Sequence, residues 1–164
     1  MVFAIVVALA ASPAATTLVN SDELPESLRA PGETALLTAH AEGAQIYECQ
    51  WDAAGKLVWR LREPIATLFQ EGKTIGRHYA GPQWELNDGS RVQGNLEAKA
   101  PGATASDIPW LKLVVVAHMG RGALEEATTI QRIDTHGGVL EGECEAAGAF
   151  RSVAYAADYV FLRK

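Results

Sequence analysis

One short run of the chain carries most of the side chains that could do chemistry. Between Ile75 and Leu96 stand His78, Tyr79, Trp84, Glu85 and Asp88. An imidazole beside carboxylates is the material of general acid–base catalysis, because each group can hold or release a proton. Strand alternation puts Glu85 on the face opposite Trp84, where solvation is the simpler role. Asp88 falls in a turn sequence, where its carboxylate shapes the backbone. Tyr79 and Trp84 offer planar faces that could wall a small-molecule or sugar site, with filling of the core as the competing role. The ligand-binding candidates are His78, Tyr79, Trp84 and His118. The catalytic alternative, a hydrolase, would use His78 with Glu85 or Asp88.

Other chemistries lack their signatures. The histidines His40, His78, His118 and His136 are far apart and none has a metal-ligand spacing, so no metal is expected. No Gly-x-Ser-x-Gly elbow is present. Gly120-Arg121-Gly122-Ala123-Leu124-Glu125 begins like a dinucleotide loop, but Glu125 stands where a third glycine is required, and its acid would repel a pyrophosphate. No cofactor is expected.

The elements that position these residues read as strands. Asn87-Asp88-Gly89-Ser90 predicts a tight hairpin turn, with Asp-Gly in the positive-φ positions of a two-residue loop. Beyond it, Val92, Gly94, Leu96 and Ala98 face one way and Arg91, Gln93, Asn95, Glu97 and Lys99 the other, the pattern of a strand with one face buried. Upstream, Thr34 to His40 predicts a first strand. Ala44 to Trp51 predicts a second, with Tyr47, Cys49 and Trp51 on its core face. Asp52 to Lys56 predicts a hairpin loop, followed by alternation of Leu57, Trp59 and Leu61 with Val58, Arg60 and Arg62. Ala66 to Phe69, Trp110 to Met119, Thr128 to Asp134 and Val153 to Phe161 complete the set, the last with Val153, Tyr155, Tyr159 and Phe161 together. Gly81-Pro82 predicts a bend that presents His78, Tyr79 and Trp84 at a barrel mouth. Many short strands and few helical windows predict a single all-β antiparallel domain, a barrel or a two-sheet sandwich with little helix.

Bulk properties narrow the class. The 164 residues, 48% hydrophobic and 21% charged, are those of one ordinary globular domain. A net charge of −6 and the absence of Lys/Arg runs argue against nucleic-acid binding. Val2 to Ala11 is apolar but too short to span a bilayer. With the small residues after it, this run predicts an export signal over residues 1–15, cleaved after Ala10, Ala14 or Ala15; a buried N-terminal element is the alternative. Residues 16–31 read as an extended lead-in and 32–164 as the folded domain. A secreted or periplasmic location follows, with no membrane span. In that compartment the two cysteines, Cys49 and Cys144, predict a disulfide; without export they would be buried thiols.

The order of certain motifs resembles the DUF3455 family of small exported proteins without an established function. The resemblance runs roughly from Leu28 to Lys164. It is carried by Ala41 to Cys49, Ala66-Thr67-Leu68-Phe69, His78 to Glu85, Asn87 to Ser90, Ile108-Pro109-Trp110-Leu111, Thr129 to Arg132, Gly137-Gly138, Cys144 and Ala157-Asp158-Tyr159. It implies an exported domain, adds support for the Cys49–Cys144 pair, and supplies no catalytic residue. The sequence therefore favours a non-catalytic binding or surface domain for an unknown small molecule or envelope partner, over the hydrolase and over a purely structural protein. It does not set the oligomeric state.

Overall fold

The computed structural model describes residues 23–164; the export signal over 1–15 lies outside the described residues. Eight strands form one closed antiparallel barrel in simple chain order. They are β1 (Thr34–Trp51), β2 (Leu57–Gln70), β3 (Lys73–Tyr79), β4 (Gln83–Leu86), β5 (Arg91–Ala100), β6 (Trp110–Met119), β7 (Thr129–Gly137) and β8 (Phe150–Arg163). β8 pairs back onto β1 along most of its length, which closes the sheet on itself. The predicted fold class holds, and the sheet closes as a barrel.

Two pairs of predicted strands are single strands. β1 continues through Gly43, which is paired to Ala66 on one side and Tyr155 on the other. β2 continues through Pro64, opposite Gln45. Proline brings no N–H to a ladder, and the register shift at Ile46/Tyr47 beside it is the kind of bulge that accommodates one.

The predicted faces hold along most of the barrel and fail at identifiable places. Tyr47 and Cys49 are buried as expected, but Trp51, at the end of β1, is 65% exposed. No layer covers the strand where it meets the 52–56 loop. Leu96 is 59% exposed although Val92 and Gly94 on its predicted face are buried. Register shifts at Gln93/Gly94 and Leu96/Ala98 re-aim the side chains between them. The hairpin turn has three residues rather than two. Leu86 N–H donates to Ser90 O at 2.9 Å and Gly89 N–H to Leu86 O at 3.0 Å, and within Asn87-Asp88-Gly89 only Gly89 has positive φ, at +92°.

The lead-in lies against the start of β7, where Thr129, Ile130 and Gln131 are all buried, whereas Asp134 and His136 farther along are exposed. The segment predicted as extended contains a 3-10 turn at Glu26–Leu28, and Leu24 and Leu28 are fully covered. Gln131 Nε2 donates to Leu28 O at 2.6 Å, and Thr128 and Thr129 donate to the Glu33 carboxylate.

One core cluster runs from Leu37, Leu68, Leu86 and Leu124 to Trp84, Tyr155, Tyr159 and Ile108 and changes in composition along the barrel. At one end the 120–128 segment acts as a plug, inserting Leu124 and Ala127, both fully buried, against Leu37, Leu68 and Leu86 in an apolar core. Each such leucine contributes about 1.5–3 kcal/mol by leaving water. At the other end the 138–149 segment lies over the barrel as a lid. A disulfide joins Cys144 of the lid to Cys49 of β1, with Cα atoms 5.9 Å apart. Beneath the lid the interior is polar and aromatic.

Candidate functional site

Strand parity sorts the sequence-predicted residues into different places. His78 and Trp84 point inward and are 2% and 1% exposed, not at a barrel mouth. They face each other across β3 and β4, their rings stacked at 4.4 Å and 11°. Tyr79 and Glu85 occupy the opposite, outer face. The sheet therefore separates His78 from Glu85, and the pair that the hydrolase reading needs is not assembled here.

On the outer face Tyr79 Oη donates to Glu85 Oε2 at 2.7 Å and accepts from Arg91 Nη1 at 3.3 Å. Arg77 bonds Glu85 at 3.1 Å and lies over the Tyr79 ring at 5.1 Å. The Tyr79 hydroxyl, together with the Arg77 and Arg91 charges, holds the Glu85 carboxyl below its usual pKa. A carboxylate so satisfied is a poor proton carrier near neutral pH.

Asp88 and His118 have structural partners. Burial pushes the Asp88 pKa up, but the N–H of Ala123 and the hydroxyl and N–H of Ser90 outweigh it, and the net direction is down. Both carboxylate oxygens are engaged: Oδ1 accepts from Ser90 N and Oγ, and Oδ2 from Ala123 N at 2.8 Å. Asp88 thus ties the β4–β5 turn to the plug. The glycines of the partial dinucleotide motif serve this contact. A Cβ on Gly120 would lie 2.0 Å from Gly89 O, and one on Gly122 2.3 Å from Asp88 Oδ2, so only glycine allows the approach. His118 is exposed on β6, where its Nε2 donates to Ala127 O at 2.8 Å. No hydrogen bond or ring contact joins it to His78, Tyr79 or Trp84 among the described residues.

What gathers around His78 and Trp84 comes from other strands. Tyr159 of β8 meets the His78 ring at 5.1 Å and the Trp84 ring at 5.3 Å. Its hydroxyl is 3.5 Å from that of Tyr155. Gln45 of β1 is 1% exposed and approaches the lid at Gly138, where Tyr155 also lies. Arg132 of β7 stands opposite Tyr159, with Nε and Nη2 donating to Pro109 O. The parity of β8 already grouped Tyr155 with Tyr159, and the parity of Tyr47 and Cys49 extends to Gln45. Alternation put Arg132 on the face of Ile130, a core residue, but gave no sign that it stands beside Tyr159.

Apart from Arg132, the buried side chains beneath the lid are held uncharged. Burial drives the His78 pKa down to about 3; the Gln83 carbonyl opposes that and the Arg132 charge adds to it. Nδ1 lies 2.8 Å from Gln83 O, and a carbonyl can only accept, so Nδ1 carries the proton. The neutral ring then presents Nε2 as a lone-pair acceptor. Burial pushes the Tyr155 and Tyr159 hydroxyls up, so both stay protonated. Gln45 Nε2, Gln45 Oε1 and Trp84 Nε1 are buried with no hydrogen-bond partner. Leaving such groups unpaired costs about 1–3 kcal/mol each.

The lid is latched beside Gln45. Tyr47 Oη donates to Gly138 O at 2.7 Å and accepts from Leu140 N at 3.3 Å. Farther along, Gly142 O accepts from Trp59 N and Cys144 N donates to Leu57 O. At the plug end a cavity of about 260 Å³ is floored by Leu37, Ile75 and Leu86 and rimmed by Gln70, Thr74 and Asn87. Among the described residues no group of three or more His, Cys, Asp or Glu could hold a metal ion, and no helix is long and apolar enough to cross a membrane.

A family model described as "Protein of unknown function (DUF3455)" matches residues 30–163. No curated protein and no solved structure matches.

Proposed function

We propose that this chain, which belongs to the DUF3455 family, is an exported, non-catalytic barrel that binds a small molecule in the polar chamber beneath its lid. The observation that carries this reading is the Gln45 amide, buried with both polar atoms unpartnered. Buried polar groups are almost always paired, and departures concentrate where function outweighs stability. The chamber also has the composition of a binding site, aromatic walls with a few convergent polar groups. It lacks the composition of a hydrolytic one, since His78 is held neutral with no carboxylate partner. The disulfide supports export, because such bonds persist in oxidising compartments.

The test is native mass spectrometry of the protein purified from its host's exported fraction. The expected spectrum shows a leader-free chain, two daltons lighter for the disulfide, with a retained small molecule that Gln45→Met loses. A chain that stays bare, while its host supplies every natural ligand, contradicts the reading.

One observation favours a second reading, an envelope-associated interaction protein. Trp51, Leu61, Ile65 and Phe150 are each more than half exposed on the adjoining strands β1, β2 and β8. The register puts Trp51 and Leu61 on the face of Tyr47 and puts Ile65 and Phe150 on the opposite face, two exposed apolar pairs of the kind that mark partner surfaces. Replacing Trp51 and Phe150 with Glu should then release the protein from an envelope fraction; unchanged partitioning would remove this reading.

A further inference from the structure

Resting on the proposed chamber, we infer that the group Gln45 reads is an uncharged amide edge, an N–H beside a C=O, carried on a planar ring. A primary amide offers two donors and an acceptor on one plane. Both ends of Gln45 are without partners, so a ligand must supply an acceptor and a donor side by side. An amide or lactam edge does this with two parallel bonds. A carboxylate satisfies Nε2 but sets its lone pairs against Oε1. An ammonium satisfies Oε1 alone and strands Nε2.

The charges here exclude a cation and leave the choice between an anion and a neutral group to the Gln45 amide. Arg132 is the ionised group opposite Tyr159, and its charge acts on His78, Tyr155 and Tyr159. The one buried carboxylate among the described residues, Asp158, bonds His40 instead, at 2.8 Å. A cation would therefore enter a buried site beside Arg132 with no counter-charge, which is unfavourable. Tyr155 lies with Gln45 at Gly138 and offers an aromatic ring to which a flat ring is complementary. Trp84 is already stacked on His78 and edge-on to Tyr159 and Phe161, and reports on the aromatic cluster beyond.

Entry requires the near half of the lid to move. A Cβ on Gly138 would lie 3.2 Å from Gln45 Cγ and 2.9 Å from both Tyr155 Cβ and Ile108 Cγ2, so the Gly138 backbone packs closely on the stem of the Gln45 side chain. The segment from Gly138 to Gly142 runs between two anchors, the Tyr47 hydroxyl and the Cys49–Cys144 bond. Its end glycines have φ of +90° and +102°, a conformation that L side chains seldom adopt. Releasing the Tyr47 latch loosens the middle of this stretch, whose ends are still held by Val139 N–H to Ser106 O and Trp59 N–H to Gly142 O, while the disulfide keeps the rest of the lid in place.

The experiment titrates the oxidised full chain with three one-ring compounds of similar shape: benzamide, benzoate and benzylamine. The readouts are the Gln45 side-chain amide and the Trp84 indole N–H by NMR. Benzamide should shift both signals with a dissociation constant at least about tenfold below the other two, a difference of about 1.4 kcal/mol. Gln45→Met should abolish the preference. Tyr47→Phe should keep it while speeding association several-fold and increasing hydrogen exchange at Leu140. Equal or tighter binding of benzoate or benzylamine at the same two signals would overturn the amide assignment and leave the chamber standing as a ligand site. Silence of both signals with all three compounds would overturn the amide assignment, and the exported-fraction mass spectrum then decides the chamber separately.

Discussion

The two ends of this barrel bury their interiors in opposite ways. The plug end is closed by apolar contact, Leu124 and Ala127 against Leu37, Leu68 and Leu86. Its polar groups are spent on tying the turn to the plug, with both oxygens of Asp88 engaged. The lid end is closed by covalent and polar latches, the Cys49–Cys144 bond and the Tyr47 hydroxyl, over a chamber that contains unpaired amide and indole groups. One end pairs its polar groups. The other leaves buried polar atoms unpaired, a cost to stability that the proposed ligand would offset.

The largest effect should come from removing the covalent latch. Cys49 and Cys144 are 95 residues apart in sequence. Opening that loop should lower stability by about 4–5 kcal/mol in the chain-entropy picture, measured by guanidinium unfolding of the Cys49→Ser, Cys144→Ser double variant. An unchanged midpoint would mean that the polar latches hold the lid alone, and the contrast between the ends would weaken. At the plug end Leu68→Ala, at a fully buried position, should cost about 2–5 kcal/mol. A cost near zero in the same assay would mean that the plug core is loosely packed.

A smaller effect distinguishes the ends by pH. His78 is a base whose folded pKa, about 3, lies below its unfolded value near 6.5. The unfolded chain therefore binds the proton first, and stability present above about pH 6.5 is lost as pH falls toward 3. Between pH 6.5 and 4.5 the loss should be about 2–3 kcal/mol. In the fold Asp88, Asp107 and Glu85 are all lowered; their unfolded forms, with values of 3.8 for Asp and 4.5 for Glu, together remove only about 0.5 kcal/mol by the lower edge of the window. His78→Gln should be less stable at pH 7, having lost the stack on Trp84, and nearly flat across the window. A wild-type profile already flat there would contradict a buried neutral imidazole.

Alternation made the architecture legible in the sequence, together with the inward placement of Tyr47, Cys49, Val92, Tyr155, Tyr159 and Phe161. It failed at Leu96 and Trp51, where bulges and a strand end decide exposure rather than residue type. The candidate site was legible in part. His78 and Trp84 belong to the chamber, whereas Tyr79 and Glu85, their close neighbours in sequence, lie on the outer face because successive strand residues alternate. Gln45 could have been placed inside by parity. That its amide is unpartnered depends on what stands opposite it across the barrel, and no local pattern encodes that. Arg132 and the Gly138 lid depend likewise on long-range pairing of β7 with β8.

The central claim is that the chamber beneath the lid is kept polar for a ligand and not for the fold. The measurement that tests it most directly is the unfolding free energy of Gln45→Met beside that of the wild type, both without ligand. An apolar side chain of similar size removes two unpaired polar atoms, so stability should hold or rise by about 1 kcal/mol. A fall of 2 kcal/mol or more, comparable to about what Leu68→Ala loses, would mean that Gln45 is a structural part of the core, and would contradict the account.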